Sequence, residues 1–146
     1  MIATAYHAEK IDAAASAVWP YLSWENLELM LPSGFIEKIE YLERRPVVGA
    51  SRWVTFAGGR RIAERLESLP EHPGDFAYDY RVIDVGDFPL AEYRGSVRLT
   101  PAGTSACALR FACTFTPLGI TAEEWRALYV DMQKQQIAFI RRQVEK

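Results

Sequence analysis

"SRWVTFAGGRRIAERLESL", residues 51–69, reads as two alternating runs folded about a Gly-Gly turn. In the first run Arg52, Val54 and Phe56 share a face. In the second, Ile62, Glu64 and Leu66 share one face, while Ala63, Arg65 and Glu67 share the other. The apolar face of each run belongs inside, yet each carries one charge, Arg52 and Glu64. With Ala57 to Arg61 as the loop, Phe56 pairs with Ile62 and Val54 with Glu64. Arg52 then lies diagonally from Glu64, ~7–8 Å away between α-carbons. Buried charge is costly unless it is paired and hydrogen-bonded. One reading of Glu64 is therefore an interior partner for Arg52. The other is a carboxylate that orients a ligand.

Outward from this hairpin the chain keeps the same grammar. Strand-like runs cover 35–42, 51–56, 61–69, 76–84, 90–100 and 106–116, separated by short turns at 46–49, 58–59, 70–74, 86–89 and 101–103. Short turns between consecutive strands predict an antiparallel meander. Upstream lie a first strand, "ATAYHAEKID" (3–12), and helical patterning in "AASAVWPYLSWENLELML" (14–31). Pro20 divides that patterning into two short pieces, and Pro32 to Gly34 end it. Downstream, Thr121 and Glu124 form a capping box, and neither Gly nor Pro follows before Val144. Trp125, Leu128, Tyr129, Met132, Phe139 and Ile140 are read as one apolar stripe on a helix of roughly 24 residues. The expected architecture is α+β, with a seven-stranded antiparallel sheet curled around a long C-terminal helix and two short helices after the first strand. Residues 1–146 form a single domain in this reading. A twisted sheet wrapped on one helix leaves room for a cavity between them.

Composition narrows the partners. The 146 residues carry 17 basic and 19 acidic side chains, a net charge of -2, so no basic excess exists to neutralise phosphates and no nucleic acid is expected. No apolar run approaches the ~20 residues that span a bilayer, and "MIATAYHAEK" lacks the pattern of a signal peptide. A soluble, cytoplasmic protein without membrane insertion is expected. Cys107 and Cys113 fall on one strand, roughly 20 Å apart, beyond disulfide reach, and are read as free thiols. The chain has two His and two Cys without ligand spacing, so no metal site and no cofactor are expected.

Alternation sorts the remaining inner faces: Phe76, Tyr78, Tyr80 and Val82; Tyr93, Gly95, Val97 and Leu99; Leu109, Phe111, Cys113 and Phe115. A cavity under these strands is expected to be lined by Val54, Phe56, Tyr80, Tyr93, Phe111, Trp125, Tyr129 and Met132, with Arg52, Glu64 and Gln136 as its polar groups. Gln136 lies between Met132 and Phe139, on or beside the apolar stripe. His7 has inward parity with Ile11 and is read as structural, and His72 lies in a Pro-rich turn.

The order of elements, together with "IDAAASAVWPYL" (11–22), "GASRWVTFAGGRRIAERLESL" (49–69), "YRVID" (80–84), "FPLAEYRGSVRLTP" (88–101) and "RFACTFTP" (110–117), resembles the START-like, or SRPBCC, superfamily. The resemblance is greatest to its polyketide cyclase/dehydrase and lipid-transport branch, with the plant abscisic-acid receptors as relatives. It covers nearly the whole chain and implies the helix-grip fold. In the receptor relatives the glutamate of the "ERL" motif lies in the cavity, which implies the same of Glu64. Tyr93 and Gln136 likewise correspond to pocket positions. The loop that gates those receptors corresponds here to Ala57–Gly59, shorter and different in sequence, so no gating is carried over.

Three functions follow from this reading. The first is binding, with possible transport, of a small hydrophobic or aromatic molecule. The second is a cofactor-independent cyclase or dehydratase in which Glu64 is the catalytic acid or base and Tyr80 or Tyr93 stabilises an oxyanion. The third is a co-chaperone-like interaction module, for which the mostly charged outer faces provide no apolar surface.

Overall fold

The computed structural model describes residues 1–72 and 74–145. Pro73, part of the expected 70–74 turn, lies outside them. The strands are β1 (Ala3–Ile11), β2 (Ile36–Tyr41), β3 (Ser51–Phe56), β4 (Arg61–Ser68), β5 (Phe76–Asp84), β6 (Leu90–Pro101) and β7 (Cys107–Pro117). They form one antiparallel sheet in the order β1-β7-β6-β5-β4-β3-β2. Strands β2 to β7 follow one another as a meander, and β1 closes the far edge by pairing with β7. Register shifts in β2, β4 and β6 mark bulges, which strengthen the twist that curls the sheet. The expected fold is the observed one.

Between β1 and β2 lie a short helix, α1 (Ala15–Val18), a 3-10 turn (Trp19–Tyr21) that accommodates Pro20 near its start, and a second 3-10 segment (Trp24–Ser33) kinked at Asn26. Gly34 ends this region in the left-handed conformation that glycine adopts without steric cost. The long helix is α2 (Ala122–Val144), about 35 Å at ~1.5 Å per residue. Its capping box is complete. The Glu124 amide donates to Thr121 Oγ1 at 3.1 Å, and the Thr121 amide donates to Glu124 Oε1 at 3.3 Å. Among the described residues, no helix is long and apolar enough to cross a membrane.

Helix α2 is tied to one side of the sheet. Arg126 Nε donates to the Thr4 carbonyl at 2.8 Å, and Arg141 Nη1 donates to Glu9 Oε1 at 2.7 Å. Both anchors are on β1. Glu9 also accepts from or pairs with His7 Nε2 at 2.7 Å, which gives the inward-facing His7 a structural partner. The stripe that packs inward is Trp125, Tyr129, Gln133, Ile137, Phe139 and Ile140. Leu128 is 51% exposed and does not belong to it. The buried seam steps by four residues from Trp125 through Tyr129 and Gln133 to Ile137, which turns Leu128 to solvent.

The β3–β4 hairpin departs from the expected register by two residues. Val54 pairs with Ile62, and Arg52 pairs directly with Glu64. The turn is tighter than expected. The Phe56 amide donates to the Arg60 carbonyl at 2.8 Å, and Gly58 and Gly59 have φ of 91° and 88°. Two glycines in a region closed to most residues let the chain reverse within Ala57–Gly59. A slip of two preserves every face assignment while moving Arg52 from a diagonal to a directly opposed position.

Candidate functional site: a ring-lined cavity with one ion pair

Between the inner face of the sheet and α2 lies a cavity of about 110 Å³. Ten of the eleven residues expected at such a site line it. They are Arg52, Val54 and Phe56 on β3, Glu64 on β4, Tyr80 on β5, Tyr93 on β6, Phe111 on β7, and Trp125, Met132 and Gln136 on α2. Tyr129 does not. It is 1% exposed and packs in the core beside Cys113 and Tyr93, because its place on the helix seam faces β7 rather than the open space. Sequence reasoning missed Phe35, Phe88 and Gln133 on the wall. Phe35 opens the expected 35–42 run but lies one residue before the observed strand at Ile36, and Phe88 lies in the turn before β6, where alternation gives no signal. Gln133 lies on the i, i+4 seam of α2, and its amide character masked its buried position.

Aromatic rings form a continuous arc around this space. Phe35, Phe56, Phe88, Trp125, Tyr93, Tyr80 and Tyr78 follow one another with centroids 5.5–6.2 Å apart. These separations are those of favourable tilted and edge-to-face pairs. The half-buried Phe35, Phe56, Phe88 and Met132 form the wetter part of the lining, and Val54, Tyr93, Phe111 and Trp125 the buried part.

The polar end is built around Arg52, which is 2% exposed. Its Nε donates to Glu64 Oε1 at 2.8 Å, and its Nη1 donates to the Trp24 carbonyl at 2.7 Å. The guanidinium stands 4.0 Å over the Trp24 ring, a cation–π contact strengthened by desolvation. Burial works against the charge on Arg52, but Glu64 beside it more than offsets this and holds the guanidinium above its ordinary range. Glu64 is 6% exposed. It lines the cavity, and Oε1 is the oxygen that accepts from Arg52. Beside the pair, the Tyr78 hydroxyl donates to the Leu22 carbonyl at 2.8 Å, fixing the 3-10 region over the site.

The other polar groups are uncharged. Gln136 Nε2 donates to Gln133 Oε1 at 3.0 Å on the helix wall. Burial, reinforced by the nearby charge of Glu64, lifts Tyr80 well above the ordinary phenol range. Burial also raises Tyr93, so both are un-ionised hydroxyls at neutral pH. Cys113 is pushed up to about 11 by burial, partly countered by Tyr93, Tyr129 and Trp125 around it. The Trp125 indole N–H is buried without a conventional acceptor, and the neighbouring Cys113 sulfur is a weak one. Among the described residues, no three His, Cys, Asp or Glu side chains converge as metal ligands would.

A long helix gripped by a curled antiparallel sheet, with an apolar cavity between them, defines a helix-grip ligand-binding fold. The chain belongs to the polyketide cyclase / dehydrase and lipid transport family, whose sequence profile matches residues 3–145. No curated protein matches it in sequence. Similar solved structures include an uncharacterised protein from Bacillus thuringiensis, at TM-score 0.83 and 18% identity, covering 99% of this chain and 100% of the other. Another is the protein XoxI from Bacillus cereus, at TM-score 0.83 and 19% identity, covering 99% and 96%. A third is norcoclaurine synthase from Thalictrum flavum, solved with dopamine and hydroxybenzaldehyde, at TM-score 0.62 and 19% identity, covering 94% and 88%. At these identities the likeness is one of fold.

Proposed function

We propose that this protein binds a small hydrophobic molecule in the cavity between its sheet and α2. The observation that carries this reading is an internal space walled by aromatic rings, with a single, mutually neutralising ion pair at one end. Apolar pockets with few, fixed polar groups hold apolar ligands and orient them by those groups. In this reading Arg52, Glu64 and Gln136 orient the ligand, and Val54, Phe56, Tyr80, Tyr93, Phe111, Trp125 and Met132 enclose it. Transport follows if the ligand is released unchanged to another carrier or enzyme. Toluene provides a direct test, because Trp125 is on the cavity wall and reports occupancy by its emission. Saturable quenching or shift with wild type, and loss of that response in Trp125→Phe, is expected. No saturable response in the emission, and no protection against thermal unfolding, overturns the reading.

One observation favours a second reading, a cofactor-independent enzyme of the cyclase or dehydratase type. Glu64 and Tyr80 both line the cavity, and after burial the Glu64 charge is the next cause that raises the Tyr80 phenol. A carboxylate there removes a proton from carbon next to a carbonyl, and a neutral phenol hydroxyl donates to the enolate oxygen that forms. Exchange of deuterium from solvent into the methyl group of acetophenone, measured by NMR, tests this step. The enzyme reading expects exchange that Glu64→Gln abolishes. Exchange no faster than in buffer refutes it and leaves the binding reading in place.

A further inference from the structure

We propose that Gly95, buried behind the Tyr80 ring, is the residue that keeps the cavity open. It seats the ring flat on the sheet, and any side chain in its place lifts the ring into the space between sheet and α2. The inference rests on the binding reading above and adds to it a positioning residue that decides how much room the site has.

The backbone does not ask for glycine at this position. Eight of the nine glycines have φ between 56° and 102°, values that other residues reach only with strain, and Gly95 is the exception. It lies in the interior of β6, opposite Tyr80 on β5 and Cys113 on β7. Glycine in such a place weakens the strand and marks a close approach. The approach here is that of Tyr80. A Cβ built on Gly95 meets Tyr80 Cζ at 2.2 Å, and Cε1 and Oη at 2.4 Å each. A point beside the ring edge, between Cε1 and Oη, would be nearer to those two atoms than to Cζ. This point is nearer to Cζ, so it lies over the face of the ring. The ring covers the bare backbone of Gly95 as aromatic side chains cover glycines across paired strands.

A ring displaced from this seat has one direction open to it. Ordinary contact with a Cβ begins at 3.4 Å, so Gly95→Ala drives Cζ away by about 1.2 Å or more. The sheet lies beneath the ring, and the rings of Tyr78 and Tyr93 flank it with centroids at 6.1 and 6.2 Å. The remaining side is the cavity, which Tyr80 lines. Gly95 itself is not among the described residues on the wall. A ring lifted off the sheet takes a large share of a space of about 110 Å³. Residue 95 therefore sets the capacity of the site without touching its contents.

The test uses the full chain and two NMR measurements. The first needs no ligand. A proton over the face of a ring is shifted upfield, so a Gly95 α-proton should lie upfield of its position in Tyr80→Leu. No difference between the two proteins overturns the seating. The second titrates xenon, a monatomic probe that enters apolar cavities, and follows the methyl groups of Val54 and Val97 on the wall. Wild type should show saturable shifts. Gly95→Ala should weaken xenon binding by about tenfold or more, because the space is overfilled. Gly95→Ala with Tyr80→Leu should recover the affinity of Tyr80→Leu alone to within about threefold. A folded Gly95→Ala protein with wild-type xenon affinity overturns the proposal, and so does a wild type that takes up no xenon. Should Gly95→Ala not fold, the double variant decides, because it lacks the ring that clashes. Folding and xenon uptake like those of Tyr80→Leu support the proposal, and failure to fold overturns it. The binding reading fails separately: a wild type that takes up xenon but does not respond to toluene leaves the role of Gly95 in place and overturns that reading.

Discussion

Replacing Glu64 by Leu removes a carboxylate from beside a guanidinium that has almost no access to water. Deleting one partner of a buried ion pair costs about 3–5 kcal/mol, because the survivor is left charged and unpaired. Arg52 retains the Trp24 carbonyl at 2.7 Å and the Trp24 ring at 4.0 Å, so the lower end applies, about 3 kcal/mol. For a domain of this size each kcal/mol moves the melting point by roughly 2–4 °C, so Tm should fall by roughly 6–12 °C. Arg52→Met strands Glu64 in the same way and should cost at least as much. Glu64→Gln keeps an oxygen for Arg52 Nε and should fall between wild type and Glu64→Leu. The double variant Arg52→Met/Glu64→Leu replaces the pair by apolar groups of similar bulk. It should melt within about 1 kcal/mol of wild type, since such replacements are often neutral or stabilising. Circular dichroism melts and urea titrations of the four proteins give the coupling energy. Glu64→Leu melting within 2 °C of wild type, on the order of the ~1 kcal/mol resolution of the scale, or two single losses that simply add, would show that the pair is not the buried unit described.

Alkali should unfold the protein steeply. Burial raises Tyr78, Tyr80, Tyr93 and Tyr129, so above pH ~10 the unfolded chain loses protons that the folded chain retains. The stability these groups supply is complete below pH ~10 and declines as pH rises, by at most about 5 kcal/mol per pH unit when all four contribute. Tm measured from pH 8 to 11 should be level and then drop, and a flat profile would contradict the burial. Cys107 and Cys113 are 0% and 4% exposed and unpaired, and burial pushes Cys113 up to about 11. A disulfide reagent at pH 8 should find no fast thiol in the native protein and two after unfolding. Thr121→Ala should cost about 1 kcal/mol by breaking the capping box. Leu128→Ser, on the exposed side of the same helix, should stay within about 0.5 kcal/mol of wild type. The reverse order in urea titrations would place the helix on the wrong face.

Much of this was legible in the sequence because alternation is a property of the strand itself. The inward faces of β5, β6 and β7 follow from a period of two, and the bulges do not disturb the residues that line the cavity. The capping box depends on residues three apart, so it too is local. Register is different. The exchange of partners in the β3–β4 hairpin depended on where the turn closed, and Gly58 and Gly59 permit more than one closure. The helix stripe was misread at Leu128 and Gln133 for a related reason: residue type suggests burial, but the neighbouring sheet and the anchors from Arg126 and Arg141 determine which side turns inward. Tyr129 followed the same rule, buried as expected yet behind the wall rather than on it. Phe35 and Phe88 reach the cavity from loops, and only the folded chain brings them there.

The pairing of β1 with β7 also constrains the order in which the chain can assemble. Ala3 lies against Phe115 and Ile11 against Cys107, contacts that span most of the sequence. A chain emerging from the ribosome can zip β2 through β6 hairpin by hairpin, each closure being short-range. Throughout that time the first strand has no partner and offers a bare edge. Only when β7 has emerged can β1 dock, and only then do Thr4 and Glu9 become available to clamp Arg126 and Arg141. Closing this long loop carries the larger entropic cost, and the β1 contacts it forms are the ones that hold the helix over the cavity. An intermediate with a formed β2–β7 meander and a loose α2 would expose the aromatic wall to solvent, and a molecule able to occupy that wall would be present before the site had shut.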